Sequence, residues 1–281
     1  MRKRVLNIAG IILLFIFLTL LTQIGGIVYL ICLPIFRFFK RRVGRPILHI
    51  LLNISSFCIL YAFTTFIVVP PLAENYGRVP MPYDEMNPHL RQLNRWTVLL
   101  NRHYVVPQLR AVTEGVAQKL AAADTSLVVT YLDCNFPFWL GFPLEPHLSH
   151  DDGRKIDLSF FYIDAETQKP TAERPSWLGY GVCEEPRGGE ENRAEFCAER
   201  GGWQYSFMRN NVISQAKKRR YPFDAQHTAA LMRFFIADTH VNGVMIEPHL
   251  EKRLGFSNQP KVKTPPCNSV RHDDHIHVSI Y

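Results

Sequence analysis

The residues best suited to chemistry lie at the C-terminal end of the chain, where three of its eleven histidines fall within six residues: His272, His275 and His277. The last part of this run alternates with β-branched residues, a pattern that predicts a strand. Side chains two positions apart on a strand point to the same face, so His275 and His277 should lie together. Two imidazoles on one rigid face suit a metal site or a proton-transfer site.

A second group lies upstream, where His150 and Asp157 stand on either side of Gly153. His150 falls in a predicted loop, and Asp157 falls early in a strand predicted over residues 155–163. A catalytic zinc site commonly takes three protein ligands and keeps a fourth position for water. Asp157 and His277 on adjacent strands, together with His150, could supply such a set. Zinc would then lower the pKa of a bound water to about 7.

The two groups together resemble the motifs of the lysostaphin/D-Ala-D-Ala metallopeptidase/hedgehog superfamily, with this spacing: His150-x-x-Gly153-x-x-x-Asp157 and His275-x-His277. Within that superfamily, the run 272–277 and the additional His147 are most similar to penicillin-insensitive murein endopeptidases. The resemblance covers roughly residues 126–280 and none of the N-terminal region.

The resemblance implies an α+β fold, a small antiparallel sheet with flanking helices, and Zn²⁺ held by three ligands: His150, Asp157 and His277. It implies that His275 is the catalytic histidine beside the metal-bound water and that His272 is a second catalytic histidine. His147 matches a family histidine close to the metal, and whether it contacts the metal is left open. The implied reaction is hydrolysis of peptide bonds in peptidoglycan cross-links.

Other interpretations remain. The protein could be a D,D- or L,D-carboxypeptidase on wall stem peptides, a hydrolase of a different envelope amide, or a non-catalytic zinc-containing scaffold. Asp273 and Asp274 could orient the histidines, but solvated turn residues explain them better. Asp224 and His227 have ligand-like spacing, although a helix cap followed by a first-turn histidine accounts for them equally well. Neither the bond cut nor the oligomeric state follows from the sequence.

The elements that must position these residues occupy a domain predicted over residues 125–281. Strands are expected over 126–133, 155–163 and 244–246, and the terminal strand carries the histidines. Asp224 predicts the N-cap of a helix that runs to Ala237. Pro248 predicts the start of a short helix that ends near Gly255. Residues 164–220 form a long charged insertion of unknown role.

Residues 73–124 are predicted to be a linker followed by a helical stalk, whose helices could instead pack on the catalytic domain. A Pro-punctuated stretch comes first, and a helix is expected from about His89 to Leu100. Pro107 interrupts it, and a second helix should end near Ala123.

Residues 1–72 are predicted to be a membrane anchor with two transmembrane helices. The stretches 5–36 and 47–69 contain no formal charge, and each is long enough to cross a bilayer at about 1.5 Å per residue. A kink is expected near Gly25. A cleaved signal peptide is disfavoured for the first stretch, because its apolar part is too long and a second apolar stretch follows.

The positive charges predict the orientation of this anchor. Five basic residues separate the two apolar stretches, so the positive-inside rule places that loop in the cytoplasm and the rest of the chain outside: Arg37, Lys40, Arg41, Arg42 and Arg45. With two spans, Arg2, Lys3 and Arg4 would lie outside the cytoplasm, in conflict with the positive-inside rule. The five basic residues between the stretches and the three at the N-terminus make eight of the 32 basic residues in the chain. The other 24 basic residues nearly balance the 25 acidic ones, so the rest of the chain is close to neutral. A nucleic-acid partner is therefore not expected.

The six cysteines divide between membrane and domain. Four lie in the domain without zinc-knuckle spacing, which favours two disulfides and an oxidising compartment: Cys134, Cys183, Cys197 and Cys267. Three connectivities are possible. The short loop favours Cys183–Cys197, which would leave Cys134 with Cys267.

Overall fold

The computed structural model of the chain describes the backbone from Arg2 to Tyr281 and the side chains from Ile8 onward. The α-helices are α1 (Arg2–Thr22), α2 (Gly25–Arg42), α3 (Pro46–Phe63), α4 (Val69–Glu74), α5 (Arg95–Leu99), α6 (Pro107–Ala123), α7 (Arg193–Glu199), α8 (Ala225–Ala237) and α9 (Pro248–Arg253). The strands are β1 (Val79–Pro80), β2 (Leu90–Gln92), β3 (Tyr104–Val105), β4 (Val129–Tyr131), β5 (Lys155–Ser159), β6 (Tyr162–Ile163), β7 (Pro170–Thr171), β8 (Val241–Met245), β9 (Val262–Lys263) and β10 (His275–Ile280). This is a mixed α+β architecture.

The first apolar stretch folds as two helices, so the prediction of a single span over residues 5–36 is wrong, although the break lies next to Gly25, where the interruption is predicted. Gln23 takes a left-handed φ of 66° and breaks the chain between α1 and α2. Glycine at position 26 permits the sharp return, because an added Cβ there would collide with Thr19 and Phe15 of α1. The break is a tertiary feature, since the side chain of Gln23 is buried.

These N-terminal helices pack as consecutive antiparallel neighbours. α2 contacts both α1 and α3, and the connections are only two and three residues long, which leaves neighbouring helices no other arrangement. A π-helical turn, Thr64–Val68, joins α3 to α4. Within the described chain, one helix, Pro46–Glu74, is long and apolar enough to cross a membrane, and Ile8–Thr22 is apolar but shorter.

The main sheet has six strands in the order β2-β4-β5-β10-β8-β9. Its centre is antiparallel, as predicted, but both edge pairs are parallel. Helices α6 and α8 pack against each other, and α8 packs against β8. Alternate residues of the central strands face the same core as these helices, namely Ile156, Leu158, Ile276 and Val278. The intervening residues therefore point to the opposite face.

Several element predictions are confirmed because strong local signals marked them. The Asp224 side chain accepts a hydrogen bond from the His227 backbone at the start of α8, which ends at Ala237 as expected. Pro248 opens α9, and Pro107 opens α6. The predicted strand over 155–163 divides into β5 and β6, and β6 pairs with β7 outside the main sheet.

The helix expected from His89 to Leu100 is mostly wrong. Residues 90–92 pair with β4, and the helix that follows, α5, begins only after Asn94. The Asn94 side chain accepts hydrogen bonds from the backbone of Trp96 and Thr97, which caps the helix at this position. The region predicted as linker and stalk thus contributes β2 to the main sheet and α6 to the core.

The predicted disulfide pairing is also wrong. Cys197 bonds to Cys267 across 70 residues and ties the insertion to the segment that leads into β10. Cys134 and Cys183 are buried thiols without a disulfide partner in the described chain. Cys197 lies in α7, which packs close enough to Cys267 for the bond to form. The spacing of the cysteines in the sequence does not predict which of them come within bonding distance.

Candidate metal centre

Three predicted ligands converge on the sheet face opposite the helices. His150 Nε2 lies 3.2 Å from Asp157 Oδ1, His277 Nδ1 lies 2.9 Å from the same oxygen, and the two imidazole nitrogens are 3.1 Å apart. All three residues are buried. Donor atoms around a tetrahedral zinc ion lie about 3.3 Å from one another, given ligand distances of about 2.0–2.1 Å. The donor set therefore fits a metal ion.

Strand register and one turn create this convergence. His277 is paired directly with Asp157 between β10 and β5, so their side chains share a face. His150 arrives from a loop, and its Nδ1 lies 2.6 Å from the Cys134 carbonyl oxygen. That bond needs a proton on Nδ1 and leaves the Nε2 lone pair free to bind metal. Gly153, with φ of 83°, makes the left-handed turn between the two motif residues.

The second oxygen of Asp157 is held by two residues. Tyr180 donates its hydroxyl to Oδ2 at 3.0 Å, and His147 Nδ1 lies 3.1 Å from the same oxygen. These contacts orient the carboxylate so that Oδ1 faces His150 and His277. No motif or spacing in the sequence pairs Tyr180 with Asp157, and the strand and insertion that carry them meet only in the folded chain.

His275 stands beside the three ligands with one nitrogen unsatisfied. Its Nδ1 is hydrogen-bonded to the Asp274 carboxylate. Its Nε2 is buried, has no hydrogen-bond partner in the described chain, and lies 3.7 Å from Asp157 Oδ1. A buried polar atom without a partner is costly, so this nitrogen is expected to face a ligand or a reacting group.

His272 completes the histidine cluster from the loop before β10. Its ring centre lies 4.7 Å from that of His275 and 5.8 Å from that of His277. Its Nδ1 lies 2.8 Å from the Val270 carbonyl oxygen, which orients the other nitrogen. The structure thus brings all five predicted site residues and His147 into one cluster.

A second metal-compatible group shares Asp157 with the first and adds His147 and His275. Its geometry is looser, with the 3.7 Å separation at His275. His147 contacts Asp157 Oδ2, which already accepts the Tyr180 hydroxyl, whereas His275 lies nearer to Oδ1. The set with His150 and His277 is therefore the better metal site.

Burial and opposite charges set the protonation of the cluster. Burial raises the pKa of Asp157, but the neighbouring His150, His275 and His147 outweigh it and hold the pKa well below its ordinary value. Burial alone lowers the pKa of His275, and Asp157 and Asp274 reverse this effect and raise it to about 9.

The pKa values of His277 and His272 shift in the opposite direction to that of His275. Burial lowers the pKa of His277 to about 4 against the opposing hydrogen bond to Asp157. Burial and the nearby His275 and His277 hold the pKa of His272 well below its usual value. The neutral imidazole, which is the metal-binding form, is therefore favoured at His277.

The insertion over 164–220 forms one wall beside the cluster. A cavity of about 210 Å³ adjoins it and is lined by His147, Tyr180 and Asp274 on the cluster side and by Tyr205, Met208 and Arg209 from the insertion, among others. The insertion is thus part of the site's surroundings.

The insertion also holds the segment that carries the catalytic candidates. Gly181 donates its backbone N–H to the Asp274 carboxylate, and the Glu184 N–H donates to the Asp273 carbonyl oxygen at 2.6 Å. Asp273 forms an ion pair with Arg271. Both aspartates are buried, so the expectation of solvated turn residues is wrong, and Asp274 instead orients His275.

Asp224 and His227 lie outside the cluster. Asp224 accepts from the His227 backbone at 3.1 Å and contacts its ring nitrogen at 2.5 Å. The helix-cap interpretation is confirmed.

Comparison with models of known protein families and with curated proteins found no match.

Proposed function

We propose that the chain is a membrane-anchored zinc metallopeptidase that hydrolyses peptide bonds in peptidoglycan cross-links. The observation that carries the proposal is the convergence of His150, Asp157 and His277 beside the unpartnered Nε2 of His275. The spacing of these residues, which resembles that of murein endopeptidases, supports the choice of substrate. Action on cross-links is preferred over carboxypeptidase trimming of stem peptides.

His150, Asp157 and His277 would hold the ion. Bound zinc would supply a Lewis acid and a water of lowered pKa. His275 Nε2 would accept or return a proton at the reacting centre, and Asp274 at Nδ1 would keep the ring aimed and stabilise its charged form. A structural zinc scaffold would have no need for this unsatisfied nitrogen, which favours catalysis over that alternative.

The anchor is proposed to have three membrane helices, α1, α2 and α3, in place of the two predicted spans. With three antiparallel helices, the N-terminal end of α1 lies on the same side as the basic C-terminal end of α2 and the short loop after it. The basic residues of both segments then obey the positive-inside rule, which removes the conflict that two spans created. The domain lies on the other side, and the Cys197–Cys267 disulfide supports an oxidising, extracytoplasmic location.

The test is digestion of purified cross-linked muropeptides by the full-length protein in detergent, followed by mass analysis of the fragments. Cleavage at the cross-link is expected, with loss on chelation and recovery on adding zinc. A His275→Ala variant should retain zinc and lose activity by about 10²-fold or more, as expected for a lost proton-transfer group. Full activity of that variant at normal zinc content would overturn the mechanism.

A further inference from the structure

The N-terminal helices end at a common level beneath the domain. α1 contains 21 residues, and α3 continues through the π-helical turn into α4 as one helix of 29 residues, Pro46–Glu74, so each reaches about 30 Å or more at ~1.5 Å per residue, the thickness of a hydrocarbon layer. α2 contains 18 residues, and its last turn carries Lys40, Arg41 and Arg42, at the opposite end from Gly25. The Asn101 side chain marks the level where they meet the domain. It donates to the Thr22 carbonyl oxygen at 3.4 Å and to the Tyr61 hydroxyl at 3.2 Å.

One loop of the domain covers the turn between α1 and α2. The Gln23 side chain donates to the Phe138 carbonyl oxygen at 3.1 Å and accepts from the Phe138 N–H at 2.8 Å. Residues 22–26 are all buried beneath the domain. This paired hydrogen bond, in a buried setting, fixes the loop 136–142 relative to the helices.

The residues that follow Phe138 expose large apolar side chains. Leu140 is 80% exposed and Trp139 is 46% exposed. The loop around them is ordered by aromatic contacts, since Trp139 packs near Phe138 and Phe142. These contacts leave almost half of the Trp139 side chain and most of the Leu140 side chain exposed, next to the residue that is hydrogen-bonded to the turn between α1 and α2.

We propose that Trp139 and Leu140 lie in the interfacial layer of the bilayer that the helices cross, so that the domain is seated on the membrane surface. The proposal rests on the three-helix anchor. Tryptophan is enriched at this level of membrane proteins because its ring is apolar and its N–H is polar. The continuity of the loop with the helix turn selects the bilayer over a soluble partner.

The same loop connects the membrane surface to the metal centre. The Gly141 N–H donates to the Asp151 carbonyl oxygen at 3.0 Å, and Asp151 directly follows the ligand His150. The seating would therefore hold the metal centre at a constant height and orientation above the lipid. Peptides close to the membrane would be the ones presented to it.

The chain contains four tryptophans, which provide an internal comparison. Single-tryptophan variants, each with the other three changed to Phe, would be placed in nanodiscs containing lipids brominated near the ester group. Emission from Trp139 should fall on the order of twofold relative to unbrominated nanodiscs, as expected for a ring in the interface. Trp177 and Trp203, which are 67% and 74% exposed on the insertion, should change little.

Equal quenching of Trp139 and Trp203, or no quenching of Trp139, would overturn the seating. If a triple variant does not fold, the single change Trp139→Phe serves instead, and it should reduce the lipid-quenchable share of the total emission. Quenching of Trp139 by muropeptides but not by brominated lipid would mark a substrate surface and would also refute the proposal. Release of the chain from membranes by alkaline carbonate would identify failure of the anchor itself, and neither readout depends on peptidase activity.

Discussion

Replacing Tyr180 by phenylalanine removes one hydroxyl from the support of the metal centre and leaves the ring in place. The hydroxyl donates to Asp157 Oδ2 at 3.0 Å and accepts the Asp133 N–H at 3.1 Å. Without it, His147 remains as the partner of that oxygen. The carboxylate gains rotational freedom, and Oδ1 is no longer held as firmly toward His150 and His277.

The expected cost follows from the charge of the acceptor. A hydrogen bond to a charged group contributes about 1.5–3 kcal/mol, and about 1.4 kcal/mol corresponds to a factor of ten. We therefore expect Tyr180→Phe to weaken zinc binding by about 10- to 100-fold, the range found for residues that orient metal ligands. The remaining contact of His147 places the expected value toward the lower end.

The measurement is zinc affinity by competition with a chromophoric chelator, together with kcat/KM on cross-linked muropeptides at saturating and limiting zinc. Activity lost by the variant should return as zinc is raised, because the residue positions a ligand and does not contact the substrate. Tyr131→Phe is a matched control. Its hydroxyl is buried without a hydrogen-bond partner among the described residues. Wild-type zinc affinity in Tyr180→Phe, or an equal loss in Tyr131→Phe, would refute the reasoning.

Three other outcomes are expected. His150→Ala should abolish stoichiometric zinc in metal analysis while the domain stays folded by circular dichroism, and retention of one zinc per chain would contradict the ligand assignment. Reduction of Cys197–Cys267 should lower the free energy of unfolding by about 2–4 kcal/mol. Adding reductant should therefore lower the thermal midpoint of the wild-type protein and leave that of Cys197→Ser unchanged. Burial, with the charge of Asp273, raises the pKa of Glu247 from 4.5 to about 7. The folded state therefore retains a proton that the unfolded chain releases, and this contribution to stability is lost as pH rises from about 4.5 to about 7. Glu247→Gln should flatten that part of the stability–pH curve, and an unchanged slope would exclude Glu247 as its source.

Elements with strong local signals were predictable. Asp224 marks the start of α8 because its short side chain satisfies a backbone N–H that the helix leaves free. Proline at 107 and 248 opens helices because its missing N–H costs nothing in the first turn. The alternation in β10 follows from the two-residue period of strands. Each of these signals acts within a few residues.

Features that depend on distant contacts were missed. At the break between α1 and α2, the Gln23 side chain hydrogen-bonds to the backbone of Phe138, 115 residues away. The strand at 90–92 forms because β4 lies beside it, and this pairing overrides the helix that the sequence predicts from His89 to Leu100. The Cys197–Cys267 pairing and the burial of Asp273 both depend on how the insertion folds over the sheet.

The amino-acid sequence alone determined which residues can bind metal and that His275 and His277 share a face, because residue type and strand period are local properties. Only the tertiary structure decided that His277 pairs with Asp157, that Tyr180 holds the second carboxylate oxygen, and that the His275 Nε2 is left without a partner. The physical reason is that hydrogen bonds and strand register join residues 20 to 130 positions apart. Their formation depends on the packing of the whole chain and not on the composition of any one segment.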